Sequence, residues 1–181
     1  MLTLILLAGL LMNASNDKLL IHFEGNAGGS WQIVNDGVMG GLSRSTIRRT
    51  ESGSALFAGW VSLENNGGFA SVRTIQPNNL SDFKGLRIRI KGDGKSYYLR
   101  LKSAHSNRLT AHSFESRFIT KTDEWTEIAL PFSDFKPVFR GRALRNVEPL
   151  DLASIAEISF MIRDSQEGTF LLEIESVHAY R

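Results

Sequence analysis

Cysteine is absent from the 181 residues. Disulfides, thiolate nucleophiles and cysteine-held metals are thereby excluded. The compartment stays open, because many exported proteins also lack cysteine. Charge of one sign is lacking too: 21 Lys and Arg stand against 19 Asp and Glu, a formal net charge of +2. Charge alone therefore implies no nucleic-acid partner, and none is expected. Histidine is scarce and dispersed, at His22, His105, His112 and His178. A metal site is not expected; His22 and His178 fall in the first and last expected strands, where histidines on a sheet face are the plainer reading.

Catalytic signatures are missing as well. There is no HExxH, no nucleophile elbow and no EF-hand loop. Gly94-Lys95-Ser96 resembles the end of a phosphate-binding loop, but that motif needs glycine where Arg89 stands and a helix where a strand pattern follows. Acids are plentiful, yet most sit beside Gly, Ser or Pro, where Asp serves as a turn former. No pair of carboxylates is singled out for acid–base work. The sequence points away from an enzyme, and no cofactor is expected.

Beyond residue 18 there is no linker, low-complexity tract or internal repeat. One long apolar run exists, Leu2 to Met12, broken only by Thr3 and Gly9. It is too short to span a membrane and suits the apolar region of a signal peptide. Residues 1–18 are thus expected to be a leader, with export to the periplasm once it is cleaved. The alternative is a cytoplasmic protein in which this run is a buried strand or helix. Asn13-Ala14-Ser15 and Asn79-Leu80-Ser81 match the glycosylation sequon, which has meaning only in a eukaryotic secretory host.

What the chain does have is alternation. In LRIRIK, Leu86, Ile88 and Ile90 face one way and Arg87, Arg89 and Lys91 the other; YLRLK repeats this. A period of two means half-buried strands. KGDGKS lies between these runs, so Leu86–Lys91 and Tyr97–Lys102 are expected to pair as a hairpin with its five cations on one side. Further strands are expected at Leu19–Phe23, Trp31–Val34, Arg44–Thr50, Ala55–Leu63, Ala70–Ile75, His112–Ile119, Thr126–Pro131, Ile155–Ile162 and Phe170–Ala179. Many short strands with polar turns predict an all-β, antiparallel sandwich over residues 19–181. Only Leu150–Ala156 reads as a short helix, with Asp151 or Ser154 near its cap.

Two glycine-rich stretches stand out. Asn35-Asp36-Gly37-Val38-Met39-Gly40-Gly41-Leu42-Ser43 follows a tryptophan strand, and Asn65-Asn66-Gly67-Gly68 has the same character. Asp36-Gly37 and Gly40-Gly41 permit positive φ and hence tight reversal. Met39 would either plug the core or stand exposed as an adaptable contact. Both loops answer a backbone need, and they are candidates for a shared ligand or partner rim.

These blocks carry a resemblance. WQIVNDGVMGGLS, LFAGWVSLENNGGFASVR, GLRIRIKGDGKSYYLRL, PFSDFKPVFRGR and PLDLASIAEISFMIRDSQEGTFLLEIESVHAY occur in this order. Together, over about Leu20 to Arg181, the chain resembles the complex I intermediate-associated protein 30 family. The resemblance implies a galactose-binding-like jelly roll related to carbohydrate-binding modules. It also implies a non-catalytic, chaperone-like assembly role through protein contacts, with a respiratory-complex subunit as partner. An exported module that binds a glycan or the envelope is the alternative, since fold does not fix function. Candidate binding residues are Asp36, Met39, Gly40, Gly41, Ser43, Asn65, Asn66, Arg73, Arg140 and Arg142. Arg73 would reach a ligand at the rim or brace the loop. Arg140 and Arg142, in an expected surface loop, would grip a partner's carboxylates or brace Asp134 and Asp151, the latter being favoured. Glu173 and Glu175 have the alternation to face outward and pair with the basic strand residues. Trp31, Trp60 and Trp125 are assigned to the core by default.

Overall fold

The computed structural model describes residues 17–23, 30–104 and 112–181. The expected leader lies outside them apart from Asp17 and Lys18, as do the sequon at Asn13 and His105. Asp17 pairs with Arg87.

The strands in chain order are β1 (Lys18–His22), β2 (Trp31–Ile33), β3 (Arg44–Arg49), β4 (Ala55–Val61), β5 (Ala70–Asn78), β6 (Gly85–Gly92) and β7 (Ser96–Ser103). There follow β8 (Ser113–Ile119), β9 (Trp125–Pro131), β10 (Lys136–Phe139), β11 (Arg142–Ala143), β12 (Ile155–Ile162) and β13 (Gly168–Tyr180). They form two antiparallel sheets. The first runs β3-β4-β13-β6-β9, with β1 also paired to β13; the second runs β11-β10-β8-β7-β12-β5-β2. The expected β-sandwich is what the chain forms.

Alternation builds the core. Leu86, Ile88 and Ile90 of β6 and Leu172 and Ile174 of β13 are buried from one sheet, and Tyr97, Leu99, Leu101, Ile158, Phe160 and Ile162 from the other. Seven rings run through it in contact, from Phe23 through Trp31, Phe160, Phe118, Tyr97 and Phe170 to Phe57. Ring pairs at such separations add to the burial of apolar area. Trp31, expected in the core, is partly buried and packs against it. Trp60 is half exposed, and Trp125 lies outside it beneath Arg89 and Lys91.

The hairpin expected from KGDGKS does not form. β6 is flanked by β13 and β9, and β7 by β8 and β12, so neither strand has an edge free for the other. The segment instead crosses from one sheet to the other. Their apolar sides then meet across the core, whereas a hairpin would set both on one face of one sheet. The Asp93 carboxylate holds this crossing: it accepts from Lys95 N at 3.1 Å, Tyr97 Oη at 2.9 Å and Leu171 N at 3.0 Å. Burial first, and then the charge of Asp93, push the Tyr97 phenol well up, so it stays a donor. The cations split accordingly. Arg87, Arg89 and Lys91 lie outside the first sheet, where Lys91 pairs with Glu173 at 2.9 Å and Arg89 with Glu175 at 2.6 Å, as anticipated. Arg100 and Lys102 lie on the second sheet.

Two strands were not foreseen. The Phe139–Arg142 stretch, expected as a loop, is the turn of a small β10–β11 hairpin, with Arg140 at φ +48° and Gly141 at +75°. Pro137 obscures it: proline is confined to sheet edges, and β10 lies next to last in its sheet. The expected helix shrinks to a 3-10 turn, Leu152–Ser154, capped by Asp151 through Ala153 N.

Replacing Asp93 with Ala leaves the buried Tyr97 hydroxyl with only the Leu171 carbonyl and Leu171 N without its acceptor. Thermal or urea denaturation is expected to show a loss of about 1–3 kcal/mol.

Candidate functional site

The glycine-rich loops are one device. Asn35-Asp36 leaves β2 into a 3-10 turn, Asp36–Met39, that ends in Gly40 at φ +90°. The Asp36 side chain turns inward and is fully buried. It accepts from Ser43 N at 2.9 Å, Ser43 Oγ at 2.5 Å, Gly68 N at 2.7 Å and Phe69 N at 3.3 Å. One carboxylate therefore ties the first loop to itself and to the second. Burial opposes its ionisation, but the bonds from Ser43, Gly68 and Phe69 together outweigh that and hold its pKa below the ordinary 3.8. Two glycines are required by this contact and not by φ. A Cβ on Gly41 would lie 2.5 Å from Asp36 Oδ1, and one on Gly67 2.6 Å from Oδ2. Ser43 Oγ also receives Ser62 N at 3.0 Å, and Asn65 Nδ2 reaches Gly40 O at 3.3 Å. Asn65 and Asn66 both have positive φ.

This rigid base carries apolar side chains outward. Val38 is 73% exposed and Met39 57%. Met39 thus takes the exposed alternative. Leu42 and Leu63, on the same loops, and Trp60, at the end of β4, are exposed too.

A groove of about 710 Å³ opens beside these loops, over the outer face of the second sheet. Its floor is a register row: Glu115 on β8 lies opposite Arg100 on β7, then Ser159 on β12 and Arg73 on β5. Val38, Met39 and Gly67–Phe69 form one wall; Arg140, Gly141 and Arg163–Ser165 form the other. Glu157 is shared by Arg73 at 3.4 Å and Lys102 at 3.8 Å. Glu115 is shared by Arg100 at 3.4 Å and Arg163. Burial raises the Glu115 pKa, opposed by Arg163 and Arg100. Tyr98 is covered: Arg163 stacks over its ring at 4.2 Å, and its hydroxyl donates to Asp164 at 2.6 Å.

The structure brings Asp36, Met39, Gly40, Gly41, Ser43, Asn65 and Asn66 together at the loops. Arg73 and Arg140 face the neighbouring groove. Arg142 is exposed on β11 and does not line the groove. The favoured brace is corrected: among the described residues neither Arg140 nor Arg142 pairs with Asp134 or Asp151. Arg140 instead lies over Phe139, while Asp134 accepts from Ser133 and Asp151 caps its 3-10 turn. Sequence reasoning missed Arg100, Glu115, Glu157 and Arg163 as groove residues. The one available signal was β12, ISFMI, too evenly apolar for a strand with a bare outer face. Both faces of β12 are buried, because the groove walls cover the second. Among the described residues, no cluster of His, Asp and Glu could hold a metal, and no helix is long and apolar enough to cross a membrane.

A family model described as complex I intermediate-associated protein 30 matches residues 21–174. An uncharacterized protein of Schizosaccharomyces pombe is 31% identical over 82% of this chain and 77% of its own length. The mitochondrial complex I intermediate-associated protein 30 of Mus musculus is 26% identical over 83% of this chain, which spans only 52% of that protein. Among solved structures, a family 11 carbohydrate-binding module from Clostridium thermocellum, in complex with a mixed-linked tetrasaccharide, superposes with a TM-score of 0.67. It covers 92% of this chain and 96% of the module at 19% identity, a likeness of fold.

Two predictions follow from the Asp36 contacts. Asp36→Asn is expected to lose about 2–4 kcal/mol at neutral pH, because an amide cannot serve all four donors. Asp36 has a lowered folded pKa, so its contribution is complete above the ordinary 3.8 and fades as pH falls through the lower folded value. The gap in melting temperature between the two proteins should narrow there. Gly40→Ala, with open space but positive φ, should cost only about 1 kcal/mol. Gly41→Ala should cost more, since its Cβ displaces Asp36. Equal melting temperatures for the two alanine variants would contradict this.

Proposed function

The chain belongs to the complex I intermediate-associated protein 30 family, and from that premise we propose that it is a non-catalytic assembly-factor domain acting through protein contacts. Its partner on this reading is a subunit or subassembly of respiratory complex I. The observation that carries the proposal is the exposed apolar set Val38, Met39, Leu42 and Leu63, on loops fixed by Asp36, with Trp60 at the end of β4. Solvent gives such residues no reason to stand outward on a rigid base; a protein surface does. Trp and Met are favoured at contacts of this kind, Trp as a buried anchor and Met as an adaptable one.

The groove argues against the glycan alternative. Neutral sugars are gripped by flat, accessible aromatic rings, and Tyr98 is covered by Arg163. The groove has guanidinium–carboxylate pairs where a stacking platform would be needed. Arg100 and Arg163 are engaged with Glu115, and the non-catalytic part of the proposal rests on the family.

The test is affinity purification of the tagged protein from its host. Complex I subunits are expected to co-purify with the wild type and to be lost with Leu42→Ser/Trp60→Ser, while the melting temperature changes little. Retention of those subunits by a folded double variant would overturn the apolar set as the contact. Recovery of no complex I subunit by the wild type would overturn the reading itself.

A further inference from the structure

We propose that the groove over the second sheet receives an acidic, apolar-containing peptide segment of the protein partner; this rests on the protein-contact reading above. Five cations, Arg73, Arg100, Lys102, Arg140 and Arg163, line the groove against three carboxylates, Glu115, Glu157 and Asp164. Each buried carboxylate is divided between two cations: Glu157 between Arg73 and Lys102, Glu115 between Arg100 and Arg163. A guanidinium has five donors, and one shared carboxylate cannot occupy those of two cations. The buried Nε of Arg163 donates no hydrogen bond, and that of Arg100 has only the long contact with Glu115 at 3.4 Å; Arg163 also reaches the rim carboxylate of Asp164 at 3.6 Å. Arg140, on the rim, has no ion pair among the described residues, only the Phe139 ring beneath it.

The unmet chemistry is therefore that of carboxylates, which guanidinium groups hold in a bidentate fork. The opposite wall decides between anionic ligands. Val38, Met39 and Phe69 there are apolar, and Met161 adds to them from the floor. A uronate chain gains nothing from such a wall. A peptide that alternates acidic and apolar side chains satisfies both sides, since an extended segment presents successive side chains in opposite directions. The outer face of the first sheet is more nearly balanced: Arg44, Arg48, Arg87, Arg89 and Lys91 share it with Asp17, Glu127, Glu173 and Glu175. Its carboxylates lie in pairs with single cations across the strands, and among the described residues it has no wall of apolar side chains beside them.

The probe is a fluorescein-labelled peptide of alternating Glu and Leu, followed by anisotropy with the full chain. Controls are the Lys–Leu peptide and a labelled oligogalacturonate. Saturable binding of the Glu–Leu peptide alone is expected, weakened about tenfold by Arg73→Gln/Arg140→Gln. Arg73 is partly exposed and Lys102 still serves Glu157, so the double variant should fold, as a melting curve will show. Glu157→Gln removes the internal competitor of Arg73 and Lys102 and is expected to tighten binding; a purely structural role for Glu157 would not. No preference for the Glu–Leu peptide, no effect of the double variant, or arginine-dependent binding of oligogalacturonate instead would each overturn the proposal. Failure here would leave co-purification through Leu42 and Trp60 intact; failure of the protein-contact reading would abolish that co-purification as well.

Discussion

The paired loops at the candidate site depend on one buried carboxylate. Asp36 accepts four hydrogen bonds from two loops that are distant in sequence. Burying a charge is costly unless it is well bonded, and here the bonding is sufficient to keep it ionised. The two loops consequently behave as one platform. The glycines at 41 and 67 are where that carboxylate must come close, and the left-handed Gly40 is where the chain turns to let it do so. Val38 and Met39 stand outward because the turn that carries them is fixed from below.

The two sheets then divide the labour. The outer face of the first is laced with pairs such as Lys91–Glu173 and Arg89–Glu175, and Trp125 lies under cations. Pairs of this exposure contribute little stability but keep a sheet face soluble. The outer face of the second is walled in, and its charges are shared unequally. A β-sandwich whose fold carbohydrate-binding modules share here carries a groove lined by guanidinium–carboxylate pairs. This is the general case of a site grafted on a common scaffold.

The fold was legible because alternation is a local signal. LRIRIK and YYLRL declare their buried faces without reference to anything distant, and the strands they predict are present. Pairing was not legible. The turn Asp93-Gly94-Lys95 reads as a hairpin locally, and only Leu171, in a strand more than seventy residues on, reveals that Asp93 holds a crossing between sheets. The same holds at the site. Asp36, Gly41 and Ser43 were visible as a cluster of special residues, but their role required Gly68 and Phe69. The groove was the hardest to see: Arg100 and Glu115 look like ordinary outward charges until register sets them side by side. Long-range register is what one sequence does not print.

The most direct measurement is photo-crosslinking inside the host. A photoreactive side chain would be placed at Met39, on the Asp36 platform, and in a separate protein at Arg89, on the first sheet. Crosslinks from position 39 to a complex I subunit, with none from position 89, are what the account predicts. Crosslinks from position 89 alone, or none to any such subunit from position 39, would contradict it.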